Sequence, residues 1–200
     1  MKFLKTHFNK IIALLMLLAL PMVARAYNFI ADGLCYNYNN DGTSVTVTYG
    51  VEYTGAINIP ESVSYNGTTY SVTTIGHDAF ARCTGLTSIK SKILNPDKVT
   101  MYSGVFSGIN KSNCSLFVPQ GTKDVYQATP QWSDFVNIVE VPFAPGDVNY
   151  DDECTGSDVT ALYNFILYND SSAIVNGDQN GDGVVTGSDV TAVYNIILGL

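Results

Sequence analysis

Histidine and tryptophan are nearly missing from these 200 residues, with two His and one Trp. His7 falls in the N-terminal apolar stretch, so His77 is the one imidazole elsewhere. A Ser-His or Cys-His nucleophile system needs an oriented base, and His77 in the turn IGHDAF beside Asp78 reads as a polar turn residue. No catalytic residue is assigned, and the chain is expected not to be an enzyme. Four Cys and two His, scattered, lack the spacing of a zinc site. Basic residues are scarce, ten against 18 acids. The excess of acid speaks against nucleic acid or an anionic membrane as partner.

Apolar runs are scarce too, and the one of note lies at the start. Lys2, Lys5 and Lys10 flank the run from Ile11 to Leu20, and Ala24-Arg25-Ala26 follows as an A-x-A cleavage signal. This pattern predicts a secretory signal peptide over 1–26, too short for a comfortable membrane span, and an extracellular or cell-surface location. Its removal takes four bases and no acid, which moves the formal charge from −8 to −12. Cys35, Cys83, Cys114 and Cys154 allow three complete pairings. Buried free thiols are the favoured reading, because Cys154 aligns with an apolar Val185 in the repeat described next.

What the chain does have is an acidic pattern written twice. GDVNYDDECTGSDVTALYNFIL and GDQNGDGVVTGSDVTAVYNIIL superpose with an offset of 31 residues. Asp147, Asn149, Asp151, Thr155 and Asp158 stand at loop positions 1, 3, 5, 9 and 12, as do Asp178, Asn180, Asp182, Thr186 and Asp189. The position-7 carbonyls of Glu153 and Val184 add a further oxygen each. Oxygen-only donors at this spacing suit a hard cation, and Ca2+ at two sites is the expected occupant. Nine acids and no Lys or Arg in 146–200 also call for a counter-cation.

An amphipathic helix follows each loop. Val159, Leu162, Tyr163, Ile166 and Leu167 form one apolar stripe, and Val190, Val193, Tyr194, Ile197 and Leu198 the other. The two stripes are expected to bury each other. Asp158 and Asp189 sit in the first turns, where negative charge also favours the helix dipole. Phe143-Ala144-Pro145 precedes the first loop, so no entering helix is expected.

A loop with one following helix, duplicated, with Asp at position 12, resembles the type I dockerin over residues 146–200. The resemblance implies two calcium sites and docking to a cohesin-like module on another protein, commonly in carbohydrate-degrading assemblies. In the best-known dockerins positions 10 and 11 supply much of the partner recognition; here these are Gly156 and Ser157, and Gly187 and Ser188. Identical pairs in both copies allow two binding orientations. Tyr150 and Asp152 replace Gly181 and Gly183 in the first copy, which predicts weaker metal binding there. A calcium-stapled stability unit is the competing reading of the repeat.

Between leader and repeat lie short alternating runs punctuated by Asp32-Gly33, Asp41-Gly42 and Asn66-Gly67, which predict β-hairpins. From Tyr70 to Ile89 a strand, turn, short helix and second strand are expected, with Met101 to Val118 as a degenerate second coil. IGHDAFARCTGLTSI, followed by CSLFVPQGTKDVYQATPQWSDFVNIVEV, resembles the BspA-type leucine-rich repeat proteins over about 66–141. Val125, Tyr126, Trp132, Phe135 and Ile138 are expected to close the open end, Trp132 as core rather than as a sugar platform.

The expected fold class is therefore α+β. A β-rich leucine-rich-repeat-like domain with a β-hairpin N-cap spans 27–141, a Pro linker 142–145, and an all-α duplicated loop-helix domain 146–200. Three functions follow from this reading. The first is a secreted non-catalytic adaptor that also binds a protein or glycan. The second is a self-contained adhesion protein with a stapled tail. The weakest is a glycoside hydrolase component using Glu52 or Glu61.

Overall fold

The computed structural model describes residues 27–171 and 174–200, so the expected signal peptide lies outside the described residues. All three turn dipeptides make the hairpins expected of them. Phe29–Ala31 (β1) pairs antiparallel with Leu34–Tyr38 (β2) across Asp32-Gly33, and β2 with Ser44–Thr48 (β3) across Asp41-Gly42. Ser62–Tyr65 (β5) pairs with Thr68–Ile75 (β6) across Asn66-Gly67. Asp32, Asn66 and the two glycines after them have φ between 48° and 79°, the left-handed region such dipeptides tolerate.

Beyond the hairpins the chain winds as a parallel coil. One ladder joins β3, β6 and Thr100–Met101 (β8), stacking Val47, Ile75 and Met101. The other joins Gly55–Ile59 (β4), Leu86–Ser91 (β7), Ser115–Pro119 (β9) and Ile138–Val141 (β10), stacking Ile57, Ile89, Leu116 and Ile138. The coil stack thus begins at β3 and β4, earlier than the one clear and one degenerate coil expected. The anticipated short helix after Ile75 is absent, replaced by a run of tight turns. Those turns bond directly to the next coil: the amides of Phe80 and Arg82 donate to the carbonyls of Val105 and Ser107 at 3.0 and 2.7 Å. Left-handed φ recurs at matching places, Asp78 with Gly104 and Arg82 with Gly108. A helix could not present this edge to its neighbour.

The core runs unbroken through the coils, and Phe80 stacks on Phe106 at 5.7 Å. Trp132 is fully buried against Phe106 and Tyr126, closing the far end as core. Val125, on helix Lys123–Ala128 (α1), is 37% exposed and does not join that closure, contrary to expectation. The four cysteines are free thiols, Cys35, Cys83 and Cys114 buried and Cys154 partly so.

The C-terminal helices are Gly156–Tyr168 (α2) and Gly187–Leu198 (α3), each preceded by its loop. Their own small core holds Val148, Val159, Ala161, Leu162, Val190 and Val193, with Cys154 and Val185 packed against it. The expected mutual burial of the two stripes holds only for the first halves of the helices. Tyr163, Ile166 and Leu167, and Tyr194, Ile197 and Leu198, are exposed. Two short helices have nothing else in the described chain to cover their far halves. No helix among the described residues is long and apolar enough to cross a membrane.

Candidate metal centre

Each loop is shaped by side-chain carboxylates that accept from its own backbone. Asp147 takes the amides of Asp151 and Asp152, both at 3.0 Å. Asp178 takes those of Gly181, Asp182 and Gly183 at 2.8 to 3.1 Å. Asp158 takes Val148, Asn149 and Thr155, and Asp189 takes Gln179, Asn180 and Thr186, at 2.7 to 3.2 Å. The two loops are thus congruent, and left-handed backbone falls at positions 4 and 6 of both: Tyr150 and Asp152, Gly181 and Gly183.

Thr155 and Thr186 are the N-caps. Each side chain accepts from the amide two residues on, and Asp158 or Asp189 returns the bond to complete a capping box. Their hydroxyls are therefore engaged with Ser157 and Ser188 at 2.7 Å. Those serines, assigned from sequence to partner contact, also bond the loop: Asn149 and Asn180 donate to them at 3.3 and 2.8 Å. Sequence reasoning missed this bracing role, although the shared T-G-S-D run held the signal. Gly156 and Gly187, the other expected contacts, are exposed.

A carboxylate oxygen from each of Asp147, Asp151 and Asp158 lies within 4.8 Å of the other two. Asp147 and Asp158 are fully buried, and the four ion pairs among the described residues leave all three acids without a basic partner. Burial pushes the Asp147 carboxyl above its usual range, against the pull of its backbone hydrogen bonds. For Asp189 burial acts in the same sense, but the amides of Thr186, Asn180 and Gln179 prevail and hold it low. Three hard oxygen donors, crowded and uncompensated, fit a divalent cation of the calcium type. Among the described residues this close grouping occurs in the first loop and not in the second. Asn149 is positioned beside it by accepting from the Asp151 amide at 3.0 Å, as Asn180 does from Asp182 at 2.9 Å. Glu153 and Val184 take position through their amides, bonded to Asp151 and Asp182.

The two loops meet back to back. The Val148 carbonyl accepts from Val175 and Asn176, and Gln179 accepts from the Gly146 amide at 2.7 Å. Asp152 does not face the acid cluster. Its carboxylate reaches Lys90 and Lys92 of the coil stack at 2.9 and 2.8 Å. Burial works against its ionisation, but the two lysines outweigh it and hold its carboxyl below the usual range.

Elsewhere, His77 bonds Ser103 at 3.0 Å and packs on Tyr102, as a turn residue would. Glu52 and Glu61 are both exposed, Glu61 on the wall of the cleft between coil stack and first loop.

No curated protein matches the chain. Among solved structures, it is similar to a leucine-rich repeat protein from Bacteroides ovatus ATCC 8483, with 22% identity and a TM-score of 0.37. That match covers 60% of this chain and 30% of the other, so the chain spans under a third of that protein's length. A leucine-rich repeat protein from Bacteroides capillosus ATCC 29799 aligns at 17% identity and a TM-score of 0.31, over 56% of this chain and 97% of that one. The model of the dockerin type I domain matches residues 145–198, the span of both loops and both helices. The chain therefore carries a dockerin type I domain at its C-terminal side.

Proposed function

We propose that this is a secreted, non-catalytic adaptor whose dockerin domain binds two Ca2+ ions and docks to a cohesin-like module on another protein. The coil stack would meanwhile hold a protein or glycan, as a component of a polysaccharide-degrading surface assembly. The observation that carries the reading is the convergence of Asp147, Asp151 and Asp158 inside the matched segment. The congruent bonding of the second loop supports a second ion, through Asp178, Asn180, Asp182, Asp189 and the Val184 carbonyl. Thr155 and Thr186 would act there chiefly as caps. The exposed apolar halves of α2 and α3 supply a surface for a partner.

Isothermal titration of the full chain should register two calcium equivalents, falling to one in Asp147→Ala or Asp178→Ala. Binding to a panel of recombinant cohesin modules should then appear with calcium and vanish with chelator. Capture that ignores chelator would refute the docking role. The contact of Asp152 with the coil stack favours a second reading, a self-contained adhesion protein with a stapled tail. That reading expects calcium uptake but no cohesin bound under any condition.

A further inference from the structure

The first loop departs from the second where its backbone is least welcoming to side chains. Tyr150 and Asp152 have φ of 63° and 74°, at the positions that Gly181 and Gly183 occupy in the other copy. Such residues cost on the order of 1 kcal/mol each relative to glycine. Both of them touch the coil stack. The two carboxylate oxygens of Asp152 accept from Lys90, on β7, and Lys92, just after it. Lys92 also donates to the Tyr150 carbonyl at 3.2 Å and lies 5.2 Å from the Tyr150 ring centre. Phe143 of the linker meets the same ring edge-on at 5.0 Å.

Exposed ion pairs contribute little, but the Lys92 side chain is only 9% exposed and Tyr150 is buried. Beside this contact the seam opens into a cleft of about 1040 Å³ that Lys92, Tyr150 and Asp152 themselves line, with Asn149 and Asp151 on one wall and Asn58 and Glu61 on the other. The two parts of the molecule are joined at a localised contact, not a sealed interface.

We propose that this contact is a latch coupling metal binding at the first loop to the seating of the C-terminal domain on the coil stack. The inference rests on the calcium reading above. Asp147 fixes the turn through the amides of Asp151 and Asp152, so one backbone conformation both gathers the ligands and turns Asp152 outward to the lysines. Metal and lysines therefore favour the same loop shape, and each strengthens the hold of the other. The second loop, with its glycines and no lysine partner among the described residues, stands outside the coupling.

The test uses the full chain carrying Asp178→Ala, so that calcium titration reports on the first site alone. Lys90→Met with Lys92→Met should weaken that site about fivefold or more, within the usual range of coupling between sites. In the unaltered second-site background, small-angle scattering at saturating calcium should show a broader distribution of distances between the two parts. Coulomb's law alone predicts the opposite for affinity, since removing two positive charges favours a cation. Asp152→Gly, which relieves the backbone but removes the carboxylate, should broaden the scattering in the same way. First-site affinity that is equal or higher in the lysine variant, or scattering unchanged in both variants, overturns the latch. Absence of calcium uptake by the unsubstituted chain overturns the calcium reading and the coupling together. Normal uptake with unaffected variants removes the latch alone.

Discussion

Asp158 caps α2 and faces the carboxylate cluster at once, and the two roles are separable by experiment. Its Thr155 partner completes a capping box, and loss of such a cap costs about 0.5–2 kcal/mol without any metal. Asp158→Ala should therefore lower stability in chelator by about that much, read by urea melts of the full chain. Adding calcium should then widen the gap to the unsubstituted protein. Thr155→Ala should reproduce the loss in chelator without the wider gap in calcium, because its hydroxyl is occupied by Ser157. At this scale the burial of Trp132 was legible in the local pattern, whereas the capping role of Thr155 and Thr186, expected as metal ligands, was not. The direction of Asp152 was not legible, because its partners lie 62 residues away for Lys90. The one hint was a carboxylate standing where the faithful second copy has glycine.

Among elements, the helices of the C-terminal domain divide into a buried first half and an exposed second half. Leu162 is fully buried, whereas Leu167 and Leu198 are 65% and 66% exposed. Leu162→Ala should cost about 2–5 kcal/mol, as truncation in a small core does. Leu167→Lys should change stability by no more than about 0.5 kcal/mol, as surface substitutions do. If the exposed halves receive the partner, that lysine will nonetheless abolish cohesin capture. Melting curves and a binding assay on the same samples separate these effects. Helical periodicity predicted both stripes but could not say how much of each would find cover, which depends on how many elements pack there. The hairpins were legible because Asp-Gly and Asn-Gly act within a few residues. The parallel coil starting at β3 and β4 was not, since its strands repeat in spacing while their residues barely resemble one another. The turn run after Ile75 read as a helix for a related reason: its backbone serves the next coil, which no local pattern encodes.

For the molecule as a whole, two cores sit side by side, one running through the coil stack and one confined to the loops and helices. Metal bound only by the folded domain would stabilise the smaller core by roughly 4 kcal/mol per site at a thousandfold excess over Kd. Calorimetry with chelator should therefore shift the transition of the dockerin domain strongly and that of the coil stack much less. A single transition insensitive to chelator would contradict both the calcium sites and the separation of cores.

Gly146 packs against the sulfur of Cys154, and that residue is the one cysteine of the four that is not buried. The protein consequently has an intrinsic reporter. Maleimide modification followed by mass spectrometry would mark Cys154 whenever the first loop loosens, while Cys35, Cys83 and Cys114 stay unlabelled as internal controls, with no foreign dye required.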